Sequence, residues 1–551
     1  MKQKLPIGLD DFRKLRENDY YYVDKSMMIG DFLESGRPVT LITRPRRFGK
    51  TLNMSMFREF FDITRDSAAI FHGLSVMKTS FADQINSKPV VYLTFKDSHG
   101  ANSAQCKDSL IDALFPAYQK YYDLFADSVD PHDSHYVRFY QTFDELLHAN
   151  ISWSRLKRSI LCLLETVKAF YGKLPLLLID EYDQPLISAY RYGYREELEG
   201  FFESFYGQAL KGNDSLDQAL LTGIQRVVKE SIFSNLNNVN VYTVLHDTYA
   251  TYFGLTESEC EKLLSDYGVA ISNEIKDMYN GYQFGDTAIY NPWSILNYAD
   301  EKKLIPYWVN TSANALIYQA VAGADATFYK QFDELIQTGS TEVYAKLDTS
   351  FMELANTYTL WGLFINAGYL TVTEYNWDNG QMKVRIPNQE VYSEFRMIVA
   401  EHTRIGEVDL QKMFDCLFVG DMKEFLSLYE TIVLTCTSYH DARENAYHML
   451  FLGMCVSLRK LYRISSNLEC GDGRSDITME SLSALRPHFI FEFKQGKDLE
   501  ILKKEALEQI VSQRYYASLS GEVVCVGIAH DLKRCAMVYQ KITVESGKRT
   551  A

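Results

Sequence analysis

The sequence predicts an α/β protein in which two α/β units flank a mostly helical middle region. Three observations lead there. Across residues 1–240, short apolar strands alternate with long amphipathic segments, the pattern of a largely parallel sheet covered by helices. Residues 401–551 begin helical and then run strand, turn, strand, helix, strand. Between them, residues 241–400 are mixed and rich in aromatic side chains. A chain of 551 residues has room for these units at roughly 150 residues per domain.

Each element has a local reason. Val39–Thr43, Val90–Thr94, Leu176–Asp180 and Ala219–Thr222 are brief, mostly apolar and closed by a turn or a polar residue, as strands covered on both faces are. Residues 53–62 read as a helix, 281–292 as a hairpin and 293–300 as a further helix. In the last unit, residues 488–496 form a strand, 499–518 a long helix and 523–529 a closing strand.

Composition excludes several classes. Hydrophobic residues at 46% and charged residues at 23% belong to a globular chain and not to a disordered one. Fifty-seven basic against 72 acidic residues leave a net charge of −15, which argues against a general nucleic-acid coat or a polybasic membrane binder. A small basic groove remains compatible with that total. Nine cysteines, none in a CxxC pair, indicate neither a zinc ribbon nor a disulfide framework. The apolar stretch 174–179 is far short of the ~20 residues of a membrane span. A cytoplasmic protein without a membrane partner is expected.

Residues 41–51, LITRPRRFGKT, carry strand, turn and helix start in the order of a phosphate-binding loop. In such a loop, backbone N–H groups and a helix N-terminus cradle phosphate, a lysine reaches the outer phosphates and a hydroxyl binds Mg²⁺. Arg47, Phe48 and Gly49 would form the cradle, with Lys50 and Thr51 in the side-chain roles. The first glycine of the usual pattern is Arg44 here, so GKT alone is also compatible with an ordinary loop-to-helix junction. The second half of the pattern is LPLLLIDEYD, 174–183: Asp180 ends a buried strand as a Mg²⁺ ligand and Glu181 follows to polarise water. Thr222 then falls where a polar residue senses the outer phosphate, and Arg226 where a cation offsets developing charge, although either also suits a surface turn. ATP and Mg²⁺ are the expected cofactors.

These motifs, with LPIGLDDF (5–12), YYYVDKS (20–26), TGIQRVVKESIFSNLNN (222–238), GYQFG (281–285), YNPWSIL (290–296), YWVNTS (307–312) and IPNQEV (386–391), resemble the bacterial AAA-ATPase-like family commonly fused to a PD-(D/E)XK nuclease-like domain. The resemblance implies residues 1–240 as a P-loop ATPase domain, 241–400 as a middle or lid region and 401–551 as a nuclease-like domain. Arg at the first loop glycine belongs to that family's pattern. Asp24 and Lys25 match its YVDK stretch without an evident chemical role.

A metal-dependent phosphodiesterase core needs two carboxylates and a lysine around one metal. Asp476 in GRSDIT and Glu492 with Lys494 in HFIFEFKQG supply them. Alternation along the strand places Ile490, Glu492 and Lys494 on one face and Phe489, Phe491 and Phe493 on the other. A half-exposed strand with a salt bridge would look the same locally. The resemblance to the PD-(D/E)XK fold makes Asp476 and Glu492 metal ligands and Lys494 the catalytic lysine. It adds Glu444 as a supporting acid, with His448 one turn on, and Gln509 as a contact to metal or substrate. Nucleic acid, with DNA favoured, is the expected partner, and a homo-oligomer stays open. The competing reading is a nucleotide-controlled signalling or assembly switch whose last domain binds nucleic acid or protein without cutting.

Overall fold

The computed structural model describes residues 2–126, 128–225, 238–308, 326–347, 357–392, 407–436, 461–470, 473–483, 485–532 and 534–544, with isolated positions between 447 and 458. The chain forms two compact units, Met1–Ala324 with Glu342–Glu390 and Asp325–Thr341 with Val391–Ala551.

The first unit is built on strands β1 (Val39–Thr43), β2 (Val90–Thr94), β3 (Leu176–Asp180), β4 (Ala219–Gly223) and β5 (Val239–Tyr242). They form one parallel sheet in the order β2-β3-β4-β1-β5. Every residue of β1, β3 and β4 is buried, which is why they read as unbroken apolar runs. One face carries Leu41, Leu93, Ile179 and Leu221 into a core with the helices Ser103–Phe125, Ser159–Tyr171 and Arg195–Leu210. Because all strands run the same way, the ends of β1, β3 and β4 open on one edge, where ligands bind in such sheets. β5 was not among the expected strands. Asn240 interrupts its apolar residues, and as a half-buried edge strand it needs no longer run.

The helix after β1 spans Lys50–Phe61, so it begins at Lys50 rather than 53, with Gly49 in the left-handed region (φ 85°) as its N-cap. In the described part of the middle region helices take up more residues than strands, but turns and strands together take up more than the helices, so the region is mixed rather than mostly helical. It adds the hairpin β6 (Tyr282–Phe284) and β7 (Thr287–Ile289), the helix Pro292–Glu301, and β8 (Ser340–Tyr344), β9 (Thr371–Tyr375) and β10 (Gln381–Arg385) in the order β8-β10-β9. Asn291 caps the helix Pro292–Glu301 through Trp293 N, and Pro292 fits its first turn.

The second unit holds β11 (Tyr462–Cys470), β12 (Gly473–Ser481), β13 (His488–Gln495), β14 (Gly521–Asp531) and β15 (Arg534–Val544), ordered β11-β12-β13-β14-β15. β13 and β14 are parallel, joined by the crossover helix Leu499–Ser512, and the other pairs are antiparallel. Phe489, Phe491 and Phe493 enter one core with Phe414, Phe425 and Tyr429 of the helices Glu407–Val419 and Met422–Cys436. Ile490 enters the opposite core with Ile510 and Tyr515. The crossover helix stops at Ser512 instead of 518. Arg514 turns left-handed (φ 51°) and Tyr515 N reaches back to Ile510 O at 3.2 Å, closing the last turn. No helix among the described residues is long and apolar enough to cross a membrane.

Candidate active sites

In the first unit, the register places Thr94 opposite Asp180 and Ile42 opposite Thr222. The Asp180 carboxylate, fully buried, accepts from the Thr51 hydroxyl at 2.8 Å and from the Thr222 hydroxyl at 2.6 Å. One oxygen faces each, so the helix after β1 and the strand β4 are joined through the acid that ends β3. Lys50, 5% exposed, folds its ammonium onto its own loop, donating to Arg44 O at 3.1 Å and Pro45 O at 3.0 Å. Burial lowers its pKa, while Glu181, Asp180 and Asp183 nearby pull it back up. Glu181 sits at the strand end with φ 52°, a strained value for a side-chain-bearing residue. Burial raises its pKa against the effect of Lys50.

The loop side chains go elsewhere. Phe48 is wholly buried, edge-on to Tyr282 at 4.9 Å and tilted against Phe284 at 5.2 Å. Arg47 stacks over Trp293 at 4.2 Å and donates to Tyr307 O at 3.3 Å. The side chains of these two residues are therefore committed to aromatic and backbone partners, which leaves only their backbone facing the loop. Arg44, 1% exposed, lies near Phe253 and Phe284, and its Nη1 donates to Thr43 O and Tyr242 O. Burial lowers its pKa to about 9, still high enough to keep it charged near neutrality. Arg226 lies outside the described residues.

Asp183, a third acid of the same motif, was not singled out in the sequence. It is buried and accepts from Ile224 N at 2.9 Å and Gln225 N at 2.6 Å, fixing the end of β4. Glu390 is another such anchor. Its buried carboxylate accepts from the Ser294 hydroxyl at 2.7 Å, Tyr307 N at 2.7 Å and Trp308 N at 2.8 Å. Lys25 and Asp24 also gain a role: Lys25 donates to Glu259 and Thr251 O, while Asp24 accepts from Ser26 N and Ser75 N. Both tie loops to helix starts.

In the second unit, the antiparallel ladder pairs Ile477 with Phe491 and so brings Asp476 beside Glu492. Glu492 Oε2 accepts from Asp476 N at 3.3 Å, and Asp476 Oδ2 accepts from Phe493 N at 2.7 Å. Lys494 Nζ stands 3.5 Å from Glu492 Oε1. Gln509 Nε2 donates to the same oxygen at 2.5 Å and to the Tyr515 hydroxyl at 3.0 Å. Glu492 is 2% exposed, and burial followed by the Asp476 charge pushes its pKa up to about 8, with Lys494 opposing. The contact from Gln509 depends on Gly527, which sits opposite Glu492 on β14: a Cβ there would lie 2.5 Å from Lys503 O and 2.7 Å from Leu507 N. The glycine between apolar residues of β14 is the sequence signal for that close helix approach. Glu444 and His448 lie outside the described residues.

Among the described residues, neither site brings three His, Cys, Asp or Glu side chains into an arrangement that could hold a metal ion by themselves. Each offers hard oxygen donors: the Thr51 hydroxyl with Asp180, and Asp476 with Glu492. Such sparse oxygen sets suit Mg²⁺, which keeps several waters and takes phosphate oxygens for the rest.

Comparison with known proteins finds matches in two stretches of the chain. Residues 6–233 match the family model described as "Predicted AAA-ATPase", and residues 442–540 match that of the PD-(D/E)XK nuclease superfamily. The chain thus joins an AAA-ATPase-like domain to a PD-(D/E)XK nuclease superfamily domain, in the order its sequence motifs implied. An uncharacterized protein in the vnfD 5′ region of Azotobacter chroococcum mcd 1 is 26% identical over 396 residues, covering 71% of this chain and 68% of that protein. Among solved structures, a chain from the structure of Drosophila ORC bound to AT-rich DNA and Cdc6 aligns with 70% of this chain and 90% of its own length. That alignment has 9% identity and a TM-score of 0.16.

Proposed function

We propose that the chain is an ATP-hydrolysing protein coupled to a Mg²⁺-dependent nuclease that acts on DNA. The observation that carries this reading is the closing of two separate oxygen-donor clusters, Thr51–Asp180–Thr222 and Asp476–Glu492, each with a lysine at hand.

In the first, residues 1–240 form the ATPase domain and 241–400 its lid region, against which Phe48 and Arg47 pack. The backbone of Arg47, Phe48 and Gly49 cradles phosphate, Lys50 exchanges its loop carbonyls for phosphate oxygens, and Thr51 and Asp180 hold Mg²⁺. Glu181 orients the attacking water and Thr222 keeps Asp180 in place, with Arg226 proposed as the offsetting cation. A bound Mg²⁺·ATP supplies the phosphoryl group and the electrophilic charge.

In the second, residues 401–551 form the nuclease domain. Asp476 and Glu492 hold the metal, Lys494 orients or deprotonates the attacking water, and Gln509 fixes the Glu492 carboxylate. Glu492 must lose its proton to serve as a ligand, which its elevated pKa makes dependent on metal or alkaline conditions. Phosphate release by the parent chain against Lys50→Ala and Glu181→Gln tests the first half. DNA cleavage by the parent against Glu492→Ala tests the second.

A second reading, nucleotide-controlled assembly with binding but no cleavage, is favoured by the net charge of −15. Salt-dependent DNA binding without fragments, with nucleotide-dependent oligomerisation, selects it.

A further inference from the structure

The helix Thr357–Ala367 is buried along nearly its whole length, and its end lies against Gln225 after β4, while Gly368 just beyond it lies against Pro45 of the loop after β1. Asn366, 3% exposed, donates from Nδ2 to Gln225 Oε1 at 3.0 Å and to Leu347 O at 3.0 Å. Gln225 follows β4, and three of the described contacts bear on it. Its N–H donates to Asp183 at 2.6 Å, its carbonyl accepts from the Tyr182 hydroxyl at 2.7 Å, and its side chain meets Asn366. Asp183 and Tyr182 belong to the acid motif itself, whereas Asn366 comes from a distant part of the chain.

The second contact is to the phosphate loop. Gly368 ends the helix with φ 88°, and a Cβ at this position would stand 2.8 Å from Pro45 Cβ. Only glycine lets the chain turn there and lie so close to the loop. Pro45 O is one of the two carbonyls that receive the Lys50 ammonium. Residues 366–368 therefore brace the end of β4 on one side and the loop under Lys50 on the other.

We propose that Asn366 is a positioning residue for ATP hydrolysis. It fixes Gln225, and through β4 it fixes Thr222 against Asp180, while Gly368 seats Pro45. This rests on the reading of the crevice as an ATPase centre. Asn366 contacts no reacting group. Its effect falls on the alignment of the acid rather than on holding nucleotide, which the loop backbone and Lys50 do. A displacement of about 1 Å at a reacting centre lowers rates by up to ~100-fold.

Steady-state phosphate release by the full chain, measured across ATP concentrations, tests it. Asn366→Ala and Gln225→Ala are each expected to lower kcat by about 10-fold or more with KM within about threefold of the parent. The double variant is expected to be no slower than the slower single variant, because both remove one contact. A kcat for Asn366→Ala equal to the parent's, a KM that rises in step with any loss, or effects that multiply in the double variant overturn the proposal. If Asn366→Ala fails to fold, as its melting curve would show, Gln225→Ala decides by the same split in kcat and KM. A parent chain that binds ATP but releases no phosphate overturns the underlying reading and this proposal with it. A parent that turns over normally beside an unaffected Gln225→Ala overturns the proposal alone.

Discussion

Gly527→Ala is the substitution whose consequence can be worked most directly from the structure. The added Cβ would meet Lys503 O at 2.5 Å and Leu507 N at 2.7 Å, both backbone atoms of the helix Leu499–Ser512. Ordinary contact begins near 3.4 Å, so helix and strand must separate by roughly 1 Å. No side-chain rotation relieves a clash with helix backbone. Overpacking of this kind costs about 1–3 kcal/mol, equivalent to about 1 M in urea midpoint for a slope near 2 kcal/mol per M. The same separation stretches the 2.5 Å bond from Gln509 to Glu492 beyond ordinary hydrogen-bond range and, under the proposed function, should slow DNA cleavage. All five tryptophans lie in the first unit, so the assay is hydrogen exchange along β13 and β14 in a urea series. A midpoint and cleavage rate equal to the parent's would refute the claim that a bare Cα at 527 is what lets the helix reach the acid.

Other expectations follow from the same geometry. Lys50→Ala removes the cation nearest the loop carbonyls and should abolish ATP binding in equilibrium dialysis while leaving the melting curve close to the parent's. Glu390→Ala leaves the Ser294 hydroxyl and the N–H groups of Tyr307 and Trp308 without their acceptor, and should cost about 3 kcal/mol, read by tryptophan fluorescence on thermal unfolding. Glu492 has a folded pKa of about 8 against an ordinary 4.5, so between those values the folded state keeps a proton that the unfolded chain has released. Stability of the second unit therefore falls as pH rises through that window, by at most about 1.4 kcal/mol per pH unit, and Glu492→Gln should flatten the slope in metal-free urea titrations. Buried His530 acts from the other side: burial lowers its pKa to about 3, so the unfolded chain gains the proton first as pH falls below 6.5. Hydrogen exchange at pH 7 and pH 4 should show loss of protection in β14 at the lower pH, and less loss in His530→Leu.

Much of the scaffold was legible because burial on both faces leaves a direct mark on composition. VTLIT, VVYLT and LLLID are the strands β1, β2 and β3 with unchanged bounds, and the phenylalanine face of β13 follows from alternation alone. The proximity of Thr51, Asp180 and Thr222 was readable because motif order fixes which strand ends share an edge. What was hidden depends on contacts between distant segments. Phe48 and Arg47 looked like loop residues for phosphate, yet aromatic partners from 282–307 claim their side chains. Asp183 carried no separate signal beside Asp180 and Glu181, and its role appears only when the N–H groups after β4 point at it. The early end of the crossover helix was equally hidden, since Arg514 is an uncommon residue for a left-handed turn.

The most direct measurement is cleavage of linear duplex DNA by the purified full chain in Mg²⁺ and ATP, run beside Glu492→Ala and Lys50→Ala. Fragments from the parent, none from Glu492→Ala and altered cleavage from Lys50→Ala would be the signature of two coupled centres. Intact DNA in every lane, or equal fragmentation by the parent and Glu492→Ala, would contradict the account.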